Sequence, residues 1–185
     1  MKTVIFIVLD VIIVMVIVFI CMYYTRIQTI ASIKKISNHK DGYELYHMDI
    51  KYDYNIDNII AHGIRDTKSY IQATMKEATP LLPISIDVPD FGCSAFSIKA
   101  SSGDWLMGRN YDFKNNTSAM LLYCKPKKGY KSVALAALDD ISVDAADESL
   151  KSKFSCLLSP FACLDGVNEK GVSICVLTLD SKPTA

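Results

Sequence analysis

The sequence has no excess of charge of either sign, because 20 lysines and arginines balance 20 aspartates and glutamates. Proteins that bind nucleic acid usually carry a basic patch or a basic net charge that attracts the phosphates. A short cluster of lysines between residues 125 and 131 surrounds Pro126 and Gly129 and is typical of a solvated hairpin turn. We therefore expect no nucleic-acid partner.

Metal-binding patterns are also missing. The sequence contains three histidines and no C-x-x-C pair, whereas structural zinc sites need closely spaced cysteine and histidine ligands. We predict no metal site. The histidines are expected at the surface, and their spacing supports no Cys/His catalytic dyad; they are His39, His47 and His62.

Most of the six cysteines are predicted to be structural. Those in apolar runs are expected to behave as small hydrophobic side chains rather than to form disulfides; they are Cys21, Cys124 and Cys175. Cys156 and Cys163 could pair if the chain is exported to an oxidising compartment. Cys93 differs from the others because it directly follows a glycine at the start of a strand-like segment.

The N-terminal segment is almost free of charge, since only Asp10 interrupts the apolar run from Thr3 to Tyr24. This run exceeds an ordinary strand, and at ~1.5 Å per residue it crosses a hydrocarbon core of ~30 Å. A cleavable signal peptide is the alternative, but the run is longer than a usual h-region and no small-x-small cleavage site follows before Thr25. We predict an uncleaved, single-pass transmembrane signal anchor over residues 1–25.

The charges that flank the anchor allow two topologies. Arg26, Lys34 and Lys35 follow the span and only Lys2 and the α-amine precede it, so the positive-inside rule would place the body in the cytoplasm. A short basic tail before a long apolar segment is instead typical of an export signal. We predict that the body is extracytoplasmic.

Residues 26–92 are predicted to form a leader. A tyrosine-rich, strand-like patch is followed by isoleucines at helical spacing between residues 56 and 64, and Asp66 is a candidate N-cap for a second helix that ends at Pro80. We expect this helical pair to pack in the core of a leader domain. The alternative is a pro-segment that covers a functional site until it is cleaved.

From residue 84 onward the pattern is that of strands. The alternation predicts a first hairpin over residues 94–110, a second over residues 119–138, a helix over residues 148–158 and a final strand over residues 172–179. Hairpins combined with helices indicate a layered α+β body.

Three motifs in this half contain polar or nucleophilic side chains. Cys93 follows Gly92 at a strand start, Arg109 and Asp112 lie in G-R-N-Y-D on the returning strand, and D-G-V-N-E-K-G-V occupies residues 165–172. Together they resemble the choloylglycine hydrolase family, the linear amide C–N hydrolases of the N-terminal-nucleophile superfamily, which includes penicillin V acylases and bile salt hydrolases. The resemblance covers residues 84–180, about half of the chain.

The resemblance implies the four-layer αββα sandwich of that superfamily. It assigns residues 93–185 to the N-terminal part of a catalytic domain, because the later asparagine and arginine of the family have no counterpart before Ala185. We therefore expect either a fragment of a longer product or a truncated gene.

The chemistry implied for Cys93 is amide cleavage by an N-terminal nucleophile. A thiol is improved by a nearby base, and a free α-amine with a pKa of about 8 is such a base. Gly92 has no β-carbon, so its carbonyl is open to attack by the Cys93 thiol in an N-to-S acyl shift. We predict self-cleavage between Gly92 and Cys93, which would separate the leader from the catalytic chain. The thiol mechanism needs no metal or organic cofactor.

Four further residues are candidates for the site. Arg109 is predicted to favour the thiolate and to bind a substrate carbonyl or carboxylate, and Asp112 to orient the Cys93 amine or thiol. The alternative is that this pair only ties the hairpin together. Tyr111 is a weaker candidate for substrate binding, since β-propensity also explains it. Thr178 aligns with an oxyanion-hole asparagine of bile salt hydrolases, and its shorter side chain argues against a bile-salt-specific enzyme.

The predicted function is hydrolysis of linear, non-peptide C–N amide bonds in small N-acyl substrates by a self-processing cysteine hydrolase. The alternative is a non-catalytic, membrane-anchored remnant or binding module. The motifs do not distinguish among penicillin, bile-salt, acyl-homoserine-lactone and peptide-like substrates, and no pattern specifies an oligomer.

Overall fold

The structure is a computed structural model that describes residues 2–38, 44–82, 84, 92–112, 118–141, 143 and 149–177, with the backbone alone at residues 2, 3, 38, 92 and 112. The described residues form an α+β body preceded by a long apolar helix. The helices are α1 (Lys2–Ala31), α2 (Ile56–His62), α3 (Thr67–Ala78) and α4 (Leu150–Ser155). The strands are β1 (Lys34–Asn38), β2 (Glu44–Ile50), β3 (Gly92–Lys99), β4 (Trp105–Asp112), β5 (Ala119–Cys124), β6 (Ser132–Ala137), β7 (Cys163–Asn168) and β8 (Ser173–Cys175).

Helix α1 confirms the predicted N-terminal helix, which is long and apolar enough to cross a membrane. Its most apolar 18-residue window has a mean hydropathy of 3.5 and is not buried by the rest of the chain. The helix extends past the predicted boundary at residue 25 to Ala31. The extension is helical because its inner face packs on the body, where Thr29 is fully buried.

Six strands form one sheet in the order β1-β2-β5-β6-β7-β8. β2 and β5 pair in parallel, and the other neighbours are antiparallel. The predicted second hairpin is confirmed as β5 and β6. The predicted helix over residues 148–158 is shorter than expected, because α4 is followed by a 3₁₀ helix, Cys156–Phe161, that contains Pro160.

Strands β3 and β4 form a separate two-stranded sheet, which confirms the first predicted hairpin. The register pairs Cys93 with Tyr111 and Ala95 with Arg109. The turn is closed by a hydrogen bond from the Ala100 amide to the Asp104 carbonyl. Because this hairpin is short, β3 begins opposite the end of β4, and Cys93 lies within reach of both Arg109 and Tyr111.

The predicted helical pair is confirmed as α2 and α3. Asn55 caps α2, Gly63 ends it with a φ of 77°, and Asp66 caps α3 in a capping box with Ser69. One hydrophobic core joins α3 to the strands. Its members from residues 48–84 are Met48, Ile50, Tyr52, Ala78 and Ile84, and they pack with residues such as Met120, Leu122, Ile141 and Leu157.

Candidate active site

The site is centred on Cys93 and Arg109. Alternation along β3 and β4 places Cys93, Ala95, Arg109 and Tyr111 on one face of the hairpin, with Arg109 diagonal to Cys93. Arg109 Nη2 donates a hydrogen bond to Cys93 Sγ over 3.0 Å. A charged donor forms a stronger hydrogen bond than a neutral one, and a thiolate would accept it best.

Arg109 also connects the hairpin to the six-stranded sheet. Its Nη1 lies 3.4 Å from Asp165 Oδ2 on β7, and its Nη2 donates to the Val176 carbonyl just after β8 over 3.0 Å. The Arg109 side chain is only 5% exposed. Its Nε is buried and has no acceptor among the described residues.

Asp165 is the ionic partner of Arg109, and its side chain is 18% exposed. Burial raises the pKa of the Asp165 carboxyl, and the Arg109 guanidinium acts in the opposite direction. The carboxylate therefore contacts Nη1 of the guanidinium, whereas Cys93 accepts from Nη2.

Tyr111 links the hairpin to the segment that follows β6. Its hydroxyl donates to Asp140 Oδ1 over 3.1 Å, and Arg109 Cζ lies 5.1 Å from the centre of its ring. Burial, with the charge of Asp140, raises the pKa of Tyr111 well above its usual value. Burial also raises the pKa of Asp140, and the hydrogen bond from Tyr111 opposes that increase.

A cavity of about 210 Å³ adjoins this group. Apolar side chains from α3, the 3₁₀ helix and β7 form most of its wall, including Ile71, Leu158 and Phe161. Two residues connect it to the site, since Asp140 accepts the Tyr111 hydrogen bond and Val176 accepts one from Arg109. The cavity is small and mostly apolar, and the residues that line it include neither Cys93 nor Arg109.

The structure brings together three of the predicted site residues: Cys93, Arg109 and Tyr111. The register places the Asp112 backbone opposite Gly92, one residue from Cys93, while the Asp112 side chain lies outside the described residues. Thr178 lies outside them as well. Sequence reasoning missed the roles of Asp165 and Asp140 as partners of Arg109 and Tyr111. Asp165 begins the D-G-V-N-E-K-G motif, so the sequence contains a signal at this position, although the motif assigned it no role.

No group of three or more His, Cys, Asp or Glu side chains that could hold a metal ion occurs among the described residues. His47 contacts Asp49 and the ring of Tyr123 away from the hairpin. All six cysteines are free, including Cys156 and Cys163, and Cys124 and Cys156 are buried.

Comparison of the chain with protein-family models, curated proteins and solved structures found no match.

Proposed function

We propose that this protein is a self-processing cysteine hydrolase that cleaves linear C–N amide bonds of small N-acyl substrates, with Cys93 as its N-terminal nucleophile. The observation that carries the proposal is the hydrogen bond of 3.0 Å from a buried guanidinium to Cys93 Sγ. If Arg109 only held the hairpin together, a carboxylate would be a sufficient partner for it. Here the same nitrogen that binds a backbone carbonyl also reaches the sulfur.

The first step is cleavage of the chain before Cys93. The thiol attacks the Gly92 carbonyl, the peptide nitrogen leaves with the thiol proton, and a thioester forms in its place. Water then hydrolyses the thioester, which leaves a carboxylate on Gly92 and a free α-amine and thiol on Cys93. The missing β-carbon of Gly92 keeps its carbonyl open to attack.

In turnover, the α-amine accepts the thiol proton and the sulfur attacks the substrate carbonyl. The tetrahedral intermediate collapses when the protonated amine returns its proton to the departing nitrogen. Water hydrolyses the acyl thioester by the same route. Arg109 stabilises the anionic sulfur through Nη2. Asp112 orients the α-amine.

We propose that the two sheets are the inner layers of an αββα sandwich, with α2 and α3 on the outside of one of them. Arg109 and Tyr111 support this arrangement because each reaches from the hairpin to residues of the six-stranded sheet or its connections. We also propose that α1 is an uncleaved signal anchor and that the body is extracytoplasmic. The packing of Tyr23 and Thr29 on the body supports retention of the helix.

The proposal is tested by intact-mass measurement and N-terminal sequencing of the purified chain in lipid or detergent. Wild type should yield a second N-terminus that begins Cys-Ser-Ala-Phe, and Cys93→Ala should remain whole. Cys175→Ala is a matched control, because it removes another half-buried free thiol and leaves Cys93 in place. A folded wild-type chain that stays intact would exclude self-processing.

Turnover is measured with N-acyl p-nitroanilides of increasing acyl length and with penicillin V. Release of p-nitroaniline or of the penicillin nucleus by wild type and Cys175→Ala, but not by Cys93→Ala, is the expected result. An intact chain with no turnover would favour the alternative of a membrane-anchored binding module.

A further inference from the structure

The helix α1 is exposed along its apolar part and meets the body abruptly. Every residue from Val4 to Cys21 is exposed, and this segment is roughly 27 Å long at ~1.5 Å per residue, close to the thickness of a hydrocarbon core. Tyr23, two residues later, is 1% exposed because the body covers it. There is no spacer between the apolar segment and the body, so the body must lie directly against the surface of any bilayer that α1 crosses.

The contacts of α1 with α3 show which loop faces that surface. The Tyr23 hydroxyl donates to the Pro80 carbonyl, whereas Arg26 donates from Nε to the Ala78 carbonyl over 2.7 Å and from Nη2 to the Glu77 carbonyl over 2.6 Å. Later residues of α1 thus contact earlier residues of α3, so the two helices run antiparallel. Leu81, which follows Pro80, therefore lies toward the exposed apolar part of α1.

The segment of α4 and the residues after it runs along α1 in the direction opposite to that of α3. The ring of Phe154 is 6.1 Å from that of Tyr23, and the Leu157 carbonyl accepts a hydrogen bond from Tyr52, whose ring lies 5.1 Å from Arg26 Cζ. The chain from Phe154 to Leu157 therefore runs in the same direction as α1. Leu150, one turn before Phe154, lies on the same side as the apolar segment.

The two residues that lie toward the apolar segment of α1 are both exposed leucines. Leu81 is 81% exposed and is the one non-glycine residue with positive φ, at 69°, in the described part of the chain, and Leu150 is 74% exposed. Lys151 follows Leu150 and is also exposed. Exposed leucines beside a basic residue are suited to the boundary between acyl chains and anionic headgroups.

We propose that Leu81 and Leu150 insert into the bilayer surface on either side of the point where α1 leaves it. With α1 they make three contacts with the membrane, which fixes the orientation of the body and therefore of the Cys93 face. The partner is the lipid bilayer itself, and Lys151 interacts with its phosphates. The inference rests on the proposed anchoring of α1 and not on the proposed chemistry at Cys93.

The test is quenching of tryptophan fluorescence by lipids that carry bromine on their acyl chains. Trp105→Phe removes the native tryptophan, which begins β4 at the turn end of the hairpin, whereas Cys93 lies at the other end. Leu81→Trp, Leu150→Trp and Ile64→Trp are then made singly in the full chain. Ile64 is the matched control: it is an exposed apolar residue between α2 and α3, and the 12-residue length of α3 separates it from Ala78 by roughly 18 Å.

Each variant is reconstituted in vesicles with and without brominated lipid, and vesicle flotation is measured on the same samples. The expected result is a loss of fluorescence at positions 81 and 150 and none at position 64, where soluble iodide quenches instead. If the protein floats with the vesicles but the tryptophan at position 81 or at position 150 is not quenched, the proposed contact is wrong and the proposed anchor is retained. If the protein does not float, both the anchor and the contact are wrong.

Discussion

Arg109 Nη2 lies 3.0 Å from Cys93 Sγ and 3.0 Å from the carbonyl oxygen of Val176. One nitrogen therefore joins the candidate nucleophile on the hairpin to the end of the six-stranded sheet. Any change that moves the two sheets relative to one another changes the environment of the sulfur, which links the packing of the fold to the chemistry of the site.

Replacement of Arg109 by lysine is expected to lower turnover strongly. A single ammonium cannot reproduce the planar fork that reaches Cys93, Asp165 and Val176, and loss of one donor to a developing charge lowers kcat by about 10²–10³. The measurement is kcat with an N-acyl p-nitroanilide. Arg65→Lys, at an exposed position, is the control, and an Arg109→Lys enzyme with wild-type kcat would show that the guanidinium only ties the hairpin.

Replacement of Asp112 by asparagine is expected to abolish most turnover while the chain remains folded. The change removes the charge that orients the Cys93 amine, and general acid–base contributions are about 10²–10⁴. Asp104→Asn, in the exposed β3–β4 turn, is the control. Circular dichroism verifies the fold, and unchanged activity in Asp112→Asn would refute its catalytic role.

Replacement of Asp140 by asparagine is expected to raise the free energy of unfolding at neutral pH. Burial raises the folded-state pKa of Asp140 above its unfolded value of about 3.9, so the ionised carboxylate destabilises the fold. The stability associated with the protonated form is fully present below the unfolded pKa and is lost as pH rises through the folded pKa. Asparagine keeps an oxygen that can accept from Tyr111.

The free energy of unfolding of Asp140→Asn should exceed that of wild type by a margin that becomes smaller as the pH falls toward 4. Denaturant unfolding at a series of pH values measures it, with Asp104→Asn as the reference. A gain that is the same at every pH would mean that the effect does not come from ionisation of Asp140.

The two products of cleavage at Gly92–Cys93 are expected to remain associated. β2 from the leader pairs along its length with β5, and Met48, Ile50 and Tyr52 share one core with residues from the later half. The pieces should elute together in size-exclusion chromatography without denaturant and separate on a denaturing gel. Dissociation under native conditions would mean that the shared core does not survive cleavage.

Replacement of Arg26 by methionine is expected to loosen α1 from the body. Arg26 donates to the carbonyls of Glu77 and Ala78 at the C-terminus of α3, and hydrogen bonds from a charged donor contribute about 1.5–3 kcal/mol each. Hydrogen exchange should increase at residues 23–31 and at the end of α3. Lys68→Met, near the start of α3, is the control. Vesicle flotation should not change, because the apolar segment before Cys21 is untouched.

Local patterns along the chain were enough to predict several elements. The long apolar run specified α1, Asp66 specified the start of α3, and the alternation on either side of the residue 101–104 turn specified the β3–β4 hairpin. These elements depend on interactions between residues a few positions apart, so their signals lie in short windows of sequence. The same hairpin sufficed to bring Cys93 and Arg109 together.

Long-range packing determined the remainder. Nothing local in the strand-like patch at residues 44–50 indicates that it pairs in parallel with residues 119–124, and nothing around Arg109 indicates Asp165 or Val176 as partners. The sequence by itself determined the long apolar helix, the helical pair α2 and α3 and the two hairpins. Only the tertiary structure decided which side chains meet. A buried charge or an unpaired strand edge needs a partner, and packing of the shared core determines which group lies next to it.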